Sequence, residues 1–174
     1  VGTAHLGEFG SREIIAQTKS ELPQAVPASG VVVLNVDDTA VAAMANQTAA
    51  RVVRVSRTSG AADVWATDVV LDDLARARFT LHHGDAEPVP VQLAVFGDHQ
   101  VSNALCAAAV AFECGATGEQ VAAALATAGP TSPSRMDVVT RADGVTVIND
   151  AYNANPDSMR AGLQALAWLS RPES

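Results

Sequence analysis

The chain has 174 residues, 48% of them hydrophobic, which is enough apolar material for a sizeable core and excludes a largely disordered protein. Its formal net charge is -8 with no basic run, so a nucleic-acid or anionic-membrane surface is not expected. No apolar run reaches the roughly 20 residues of a membrane span and no signal-peptide pattern opens the sequence, so no membrane insertion and a cytoplasmic location are expected.

Residues 1–26 begin as a glycine-punctuated loop and pass into a helix. Ser11 suits the N-cap, Glu13 suits the positive end of the helix dipole, and Pro23 is expected to end the helix near Leu22. Ile15, Lys19 and Leu22 share one stripe, where a lysine reads on its own as snorkelling, its stem on apolar surface and its ammonium in water. His5, in the preceding loop, reads on its own as a hydrogen-bonded structural residue.

Val31 to Val36 is an apolar strand interrupted by Asn35, and Asp37-Asp38-Thr39 opens a short helix through Met44. Arg51 to Arg57 returns as a strand, completing a βαβ unit that favours a parallel sheet. Asn35 and Asp38 stand at a strand's carboxyl end, where they suit ligand contact and also plain turn and cap roles. From Ala62 to Gly97 three strand-length runs form an antiparallel meander, with Gly84-Asp85 turning the second into the third. His82 and His83 point to opposite faces, cannot jointly hold a metal, and are read as surface residues.

Asp98 is expected to cap the next helix and Gly115 to end it, with Val101, Leu105, Ala108, Ala109 and Phe112 as the buried stripe. Asn103 is polar beside that stripe. Cys106 and Cys114, eight apart, are too distant along the helix for a disulfide within it and read as small buried residues of a reduced compartment. A second helix from Gly118 to Ala128 stops at Gly129-Pro130, and the following TSPSR is the best linker candidate.

Beyond it, Ala142-Asp143-Gly144 supplies the turn of a hairpin. Val145, Val147 and Ile148 make a short apolar run expected to be a buried strand, which stops at Asn149-Asp150. Pro156, capped by Asn155, opens a helix on which Met159, Leu163, Leu166 and Leu169 recur at helical spacing. Asp150, Tyr152, Asn153 and Asn155 crowd the turn between that strand and helix, where α/β sheets bind ligands. Val1 is not a start methionine and the last helix runs into Arg171-Pro172-Glu173-Ser174, so the sequence reads as a piece excised from a longer protein.

Five stretches, in order and spanning nearly the whole chain, together resemble the Mur ligase family: AHLGEFGSREIIAQTK at 4–19, LNVDD at 34–38, FGDHQVSNALCAAAVA at 96–111, RM at 135–136 and NDAYNANPDSM at 149–159. YNANP followed by DSM is the most specific of them. The resemblance implies an α/β fold: the carboxyl-terminal part of a mainly parallel-sheet ATPase domain with an antiparallel β meander over residues 1–133, then the start of a Rossmann-like ligase domain over 134–174. It implies an ATP-dependent amide ligase that activates the carboxylate of a UDP-N-acetylmuramoyl-tripeptide as an acyl phosphate and transfers it to the amine of D-alanyl-D-alanine, with ATP and Mg2+ as cofactors. Rival readings are a superfamily ligase that joins another amino acid or a glutamate tail, and a non-catalytic nucleotide-binding module.

Residue roles follow from the same matches. The resemblance implies that His5 is a magnesium ligand and Lys19 a carbamylated lysine; a neutral lysine amine held beside apolar residues can add carbon dioxide, and the adduct offers anionic oxygen to a hard cation. It implies that Asn103 reads the adenine edge, with Gln100 beside it where many members carry Asn, that Arg135 approaches the nucleotide phosphates, and that Asp150 holds the ribose. Tyr152, Asn153 and Asn155 are implied at the reacting centre, orienting the dipeptide or the acyl phosphate. The TSPS linker places Arg135 and Asp150 beyond a hinge, so domain closure is expected to complete the site. No GxxxxGK[ST] loop occurs in these residues, so the segment by itself is expected not to be a competent ligase; ATP turnover by it above background would overturn this.

Overall fold

The computed structural model describes residues 10–129, 134 and 136–170. Helix α1 (Arg12–Ala25) is followed by strand β1 (Val31–Asn35), helix α2 (Thr39–Ala43) with a 3-10 turn (Met44–Gln47), and strand β2 (Arg51–Ser56). Strands β3 (Val64–Leu71), β4 (Arg76–His83) and β5 (Val89–Phe96) lead to helices α3 (Gln100–Glu113) and α4 (Gly118–Thr127). The last part holds β6 (Asp137–Thr140), β7 (Thr146–Asn149) and α5 (Pro156–Leu169).

The first five strands form one mixed sheet in chain order. β1 pairs with β2 in parallel over five residues, as the βαβ reading expects, and the meander β3–β4–β5 is antiparallel. Parallel neighbours ordinarily need a long crossover. The short loop from Arg57 to Asp63 suffices between β2 and β3 because their pairing is confined to Val55 with Val64 and Ser56 with Trp65. This joins the parallel part to the meander in a single surface.

Alternation along the strands sends side chains to two cores. Val53, Val55, Val64, Phe79, Leu81 and Leu93 meet Val101, Leu105, Ala108 and Ala109 of α3 on one face. Val32 and Leu34 pack with Met44 and Ala50 on the other. The small residues of α3 let its backbone lie close to the sheet, and Leu105 and Val101 are fully buried. Thr117 and Gln120 form a reciprocal capping box that starts α4.

Several expectations change. Pro23 lies inside the last turn of α1, which continues to Ala25; a proline removes one hydrogen bond, and so close to the end the helix tolerates it. The buried groups of α1 are Ile15, Ser20 and Pro23, whereas Leu22 is 76% exposed and Lys19 is exposed, so Ile15, Lys19 and Leu22 do not form a common buried stripe. Asp98 does not cap α3. Cys114 is exposed, although Cys106 is partly buried and its thiol is pushed up by that burial. His82 and His83 do lie on opposite faces, but each is partly buried by ring stacking, on Trp65 and Phe112 respectively.

The hairpin and α5 depart further. Val145, Val147, Met159, Leu163 and Leu166 are about half exposed or more, so the run from Val145 is not a buried strand and the α5 stripe lacks cover from the described residues. Periodicity reports which face is apolar and says nothing of what covers it. The face of α5 that is packed carries Ala165, 5% exposed, and Trp168, whose indole N–H donates to the Asp72 carbonyl at 2.8 Å in the β3–β4 turn.

Candidate active site

The carboxyl ends of β1, β2 and β5 converge on one cluster. Asp37, just past β1, accepts the Arg57 backbone N–H at 2.9 Å and the hydroxyls of Ser56 and Thr58 at the end of β2. Burial alone would raise the Asp37 carboxyl, and those donors outweigh it to hold the group below the usual range. Arg57 then reaches past β5. Its Nη1 and Nη2 grip the two oxygens of Asp98 at 2.7 and 2.6 Å, and Nη1 also lies 3.2 Å from the Asp98 carbonyl. That fork lowers the Asp98 carboxyl in turn.

Gly97 precedes this pair with φ +103°, and a Cβ there would stand 2.7 Å from the His99 ring. Two independent reasons therefore demand glycine: the left-handed backbone and the imidazole folded over it. Gly97→Ala is expected to lower the stability of the chain by about 1–3 kcal/mol, read by urea denaturation. His99 enters α3 in helical conformation with no side-chain cap. Crowding by surrounding protein lowers its pKa, against the attraction of Asp150 and Asp98.

These shifts fix the sign of the pH dependence. His99 is depressed, so below about pH 6.5 the unfolded chain takes up a proton that the folded one resists, and stability falls. Asp37, Asp72 and Asp98 are also depressed; their contribution is complete above about pH 4 and is lost as pH falls through their folded values. Thermal midpoints from pH 8 to 3 should therefore decline in two stages, gently near 6.5 and steeply below 4. A midpoint that rises on acidification would contradict both.

The sequence-derived residues fall into groups. Gln100 and Asn103 share the first turn of α3, with Asn103 Nδ2 donating to Gln100 Oε1 at 2.9 Å, and Asn103 is exposed. Asp150 Oδ1 accepts the Met136 N–H at 3.1 Å, while the Tyr152 N–H donates to the Ser134 carbonyl at 3.0 Å. Ser134 and Met136 both have positive φ, +59° and +49°. These two bonds tie the chain to the 150–152 turn on either side of Arg135, which lies outside the described residues, as does His5. Asn155 Oδ1 accepts from the N–H groups of Asp157 and Ser158, making it the N-cap of α5, and Asn153 Oδ1 accepts from Ala154 at 2.8 Å. Tyr152 is 58% exposed.

A cleft of about 470 Å³ runs between the sheet and α5, lined by Arg57, Asp98, His99 and Ser102 on one side and Gln164 and Trp168 on the other. A second, of about 400 Å³, lies beside the hairpin and brings Asp150 and Asn153 together under Met159 and Leu163. Gly162 makes room for this carboxylate, since a Cβ would lie 3.3 Å from Asp150 Oδ2. Lys19 lines neither cleft and is exposed on α1. Among the described residues no three or more His, Cys, Asp or Glu converge on a cation position, and Lys19 offers oxygen only as a carbamate, so they do not by themselves make a magnesium site.

Arg57, Asp37, Asp98 and His99 were not singled out as site residues from sequence. Their partners are distant in the chain; Asp37, Asp98 and His99 lie within the LNVDD and FGDHQVSNALCAAAVA stretches and after strands at the carboxyl edge, but neither signal pairs them with Arg57. Asn35 and Asp38, also at that edge, serve the turn and the α2 cap: Asn35 accepts from the Asp37 N–H, and Asp38 from the N–H groups of Ala40 and Val41. No helix among the described residues is long and apolar enough to cross a membrane.

Comparison with known proteins identifies relatives of this chain. Residues 1–111 match the family described as Mur ligase middle domain, and residues 134–173 match Mur ligase, glutamate ligase domain. The UDP-N-acetylmuramoyl-tripeptide--D-alanyl-D-alanine ligase of Mycobacterium tuberculosis is 74% identical over 175 residues, covering 100% of this chain and 34% of the relative. The ligase of the same name from Escherichia coli is 32% identical, covering 97% of this chain and 37% of its own length. The chain thus spans about a third of these relatives. Among solved structures, a crystal structure of MurF from Acinetobacter baumannii superimposes with a TM-score of 0.86 at 33% identity, covering 97% of this chain and 36% of the other. The chain is a member of the Mur ligase family.

Proposed function

We propose that this chain is part of an ATP-dependent ligase that adds D-alanyl-D-alanine to UDP-N-acetylmuramoyl-tripeptide in the cytoplasm, a step of peptidoglycan precursor synthesis. The observation that carries this reading is the 74% identity, across the whole chain, to a ligase of that name. Residues 1–133 belong to its central ATP-binding domain and 134–174 open its carboxyl-terminal domain. ATP and Mg2+ are its cofactors, with His5 and a carbamylated Lys19 as the ion's ligands from this chain.

In this reading the tripeptide carboxylate attacks the γ-phosphate and ADP leaves, giving an acyl phosphate. The dipeptide amine then attacks the acyl carbon, the amide forms, and inorganic phosphate departs with the amine proton passed to solvent or a nearby base. Both steps depend on orientation and on donors aimed at the transferred group. Gln100 and Asn103 face the adenine, Asp150 the ribose and Arg135 the phosphates. Tyr152, Asn153 and Asn155 orient the dipeptide or the acyl phosphate. The Asn155 Oδ1 is committed to the helix cap, which leaves its Nδ2 as the end able to donate to a substrate.

The test is product formation by the full-length enzyme given ATP, the tripeptide nucleotide and a panel of acceptors. D-alanyl-D-alanine should be the preferred acceptor, with one ADP released per amide; preference for a single amino acid or for glutamate would assign it to another ligase of the superfamily. Absence of any ATP-dependent ligation would favour a non-catalytic module.

A further inference from the structure

We propose that Arg57 is a positioning residue for the nucleotide: clamped on Asp98, it fixes the first turn of α3 where Gln100 and Asn103 meet the adenine. This rests on the adenine reading of those two residues given above. The geometry is specific. Helix α3 begins without a side-chain cap at its N-cap residue His99, and the preceding Asp98 accepts the Arg57 fork at 2.7 and 2.6 Å.

A cap would satisfy backbone N–H groups within its own turn. The fork instead ties the start of α3 to the end of a strand 41 residues earlier in the chain, and its additional contact with the Asp98 carbonyl at 3.2 Å holds the backbone as well as the side chain. Arg57 is anchored in turn, because its own N–H is bound by Asp37 beyond β1. The linkage therefore runs from β1 through β2 to the helix. On its other side, the His99 ring lies against Gly97, where an added Cβ would stand 2.7 Å from it. Gln100 and Asn103 stand on that turn, bonded to each other at 2.9 Å.

Ion pairs with this much solvent contact contribute little to stability. A positioning role is thus separable from a folding role by which kinetic constant changes. A planar fork also matters here, because a lysine would supply one point charge in place of two parallel bonds.

The experiment uses the full-length ligase with Asp98→Asn, Arg57→Lys, the exchange of Arg57→Asp with Asp98→Arg, and Asn103→Ala as reference. Asp98→Asn keeps the side-chain shape and Arg57→Lys keeps the charge, so both report on a folded protein, checked by thermal midpoint. Each should raise the KM for ATP about five- to tenfold, with kcat and the KM for the dipeptide within about twofold of the parent, and the exchange should recover part of the loss. An unchanged ATP KM in Asp98→Asn and Arg57→Lys, while Asn103→Ala raises it, overturns the positioning role alone. An Asn103→Ala variant with normal ATP KM overturns the adenine reading instead. If Arg57→Lys lowers kcat and Asp98→Asn does nothing, Arg57 acts on substrate directly and the proposal is wrong.

Discussion

Replacing Lys19 by alanine in the full-length ligase is expected to reduce amide formation by about a hundredfold or more, with partial recovery on addition of a short carboxylate such as acetate. The reason is chemical. A lysine ammonium offers only donors, whereas its carbamate offers anionic oxygen, and a small carboxylate can occupy the space that the alanine leaves. Lys19 is exposed among the described residues, so a carbamate there would draw its apolar surroundings from the rest of the full-length enzyme. Carbon-13 NMR with labelled bicarbonate should accordingly show a carbamate signal in the full-length protein that Lys19→Ala removes, and none in the isolated segment. Full activity of Lys19→Ala would sink the assignment.

The second large effect is expected at Asp150, where an observed structural tie and the proposed ribose contact fall on one carboxylate. Oδ1 holds the Met136 N–H and so fixes the chain next to Arg135, while Oδ2 sits in the space left by Gly162 and faces the cleft shared with Asn153. Asp150→Ala removes both functions and should raise the KM for ATP by about ten- to a hundredfold while lowering kcat. Asp150→Asn retains an acceptor for Met136 and loses the charge. It should keep kcat near the parent value and still weaken ATP binding, because a neutral amide is a poorer acceptor for ribose hydroxyls. Equal defects in the two variants would assign the residue to nucleotide contact alone, and a harmless Asp150→Asn would leave it only the structural role.

What could be read in advance follows from the range of the interactions. Caps at Ser11 and Asn155, the glycine at 115 and the hairpin turn at 142–144 depend on neighbours within a few residues, and all stand in the structure. The Thr117–Gln120 capping box is just as local and was overlooked. Asp98 departs for another reason: it stands one residue before the N-cap, His99, and a guanidinium from the end of another strand takes both its oxygens. Burial was misjudged for Leu22, Val145 and Met159, because amphipathic spacing marks a face and the covering partner decides whether water reaches it.

The docking of α5 has a consequence for how the molecule opens. Beneath the sheet, α3 closes over side chains with essentially no exposure, whereas α5 is attached through Trp168 to a carbonyl 96 residues away and leaves Leu163 and Leu166 to solvent. The amides of β6, β7 and α5 are therefore expected to exchange with solvent as a cooperative unit of low local stability, through openings that leave β3, β4, β5 and α3 intact. The indole of Trp168 spans the boundary between the two units, which makes its fluorescence a reporter of that opening well below the temperature at which the sheet itself unfolds.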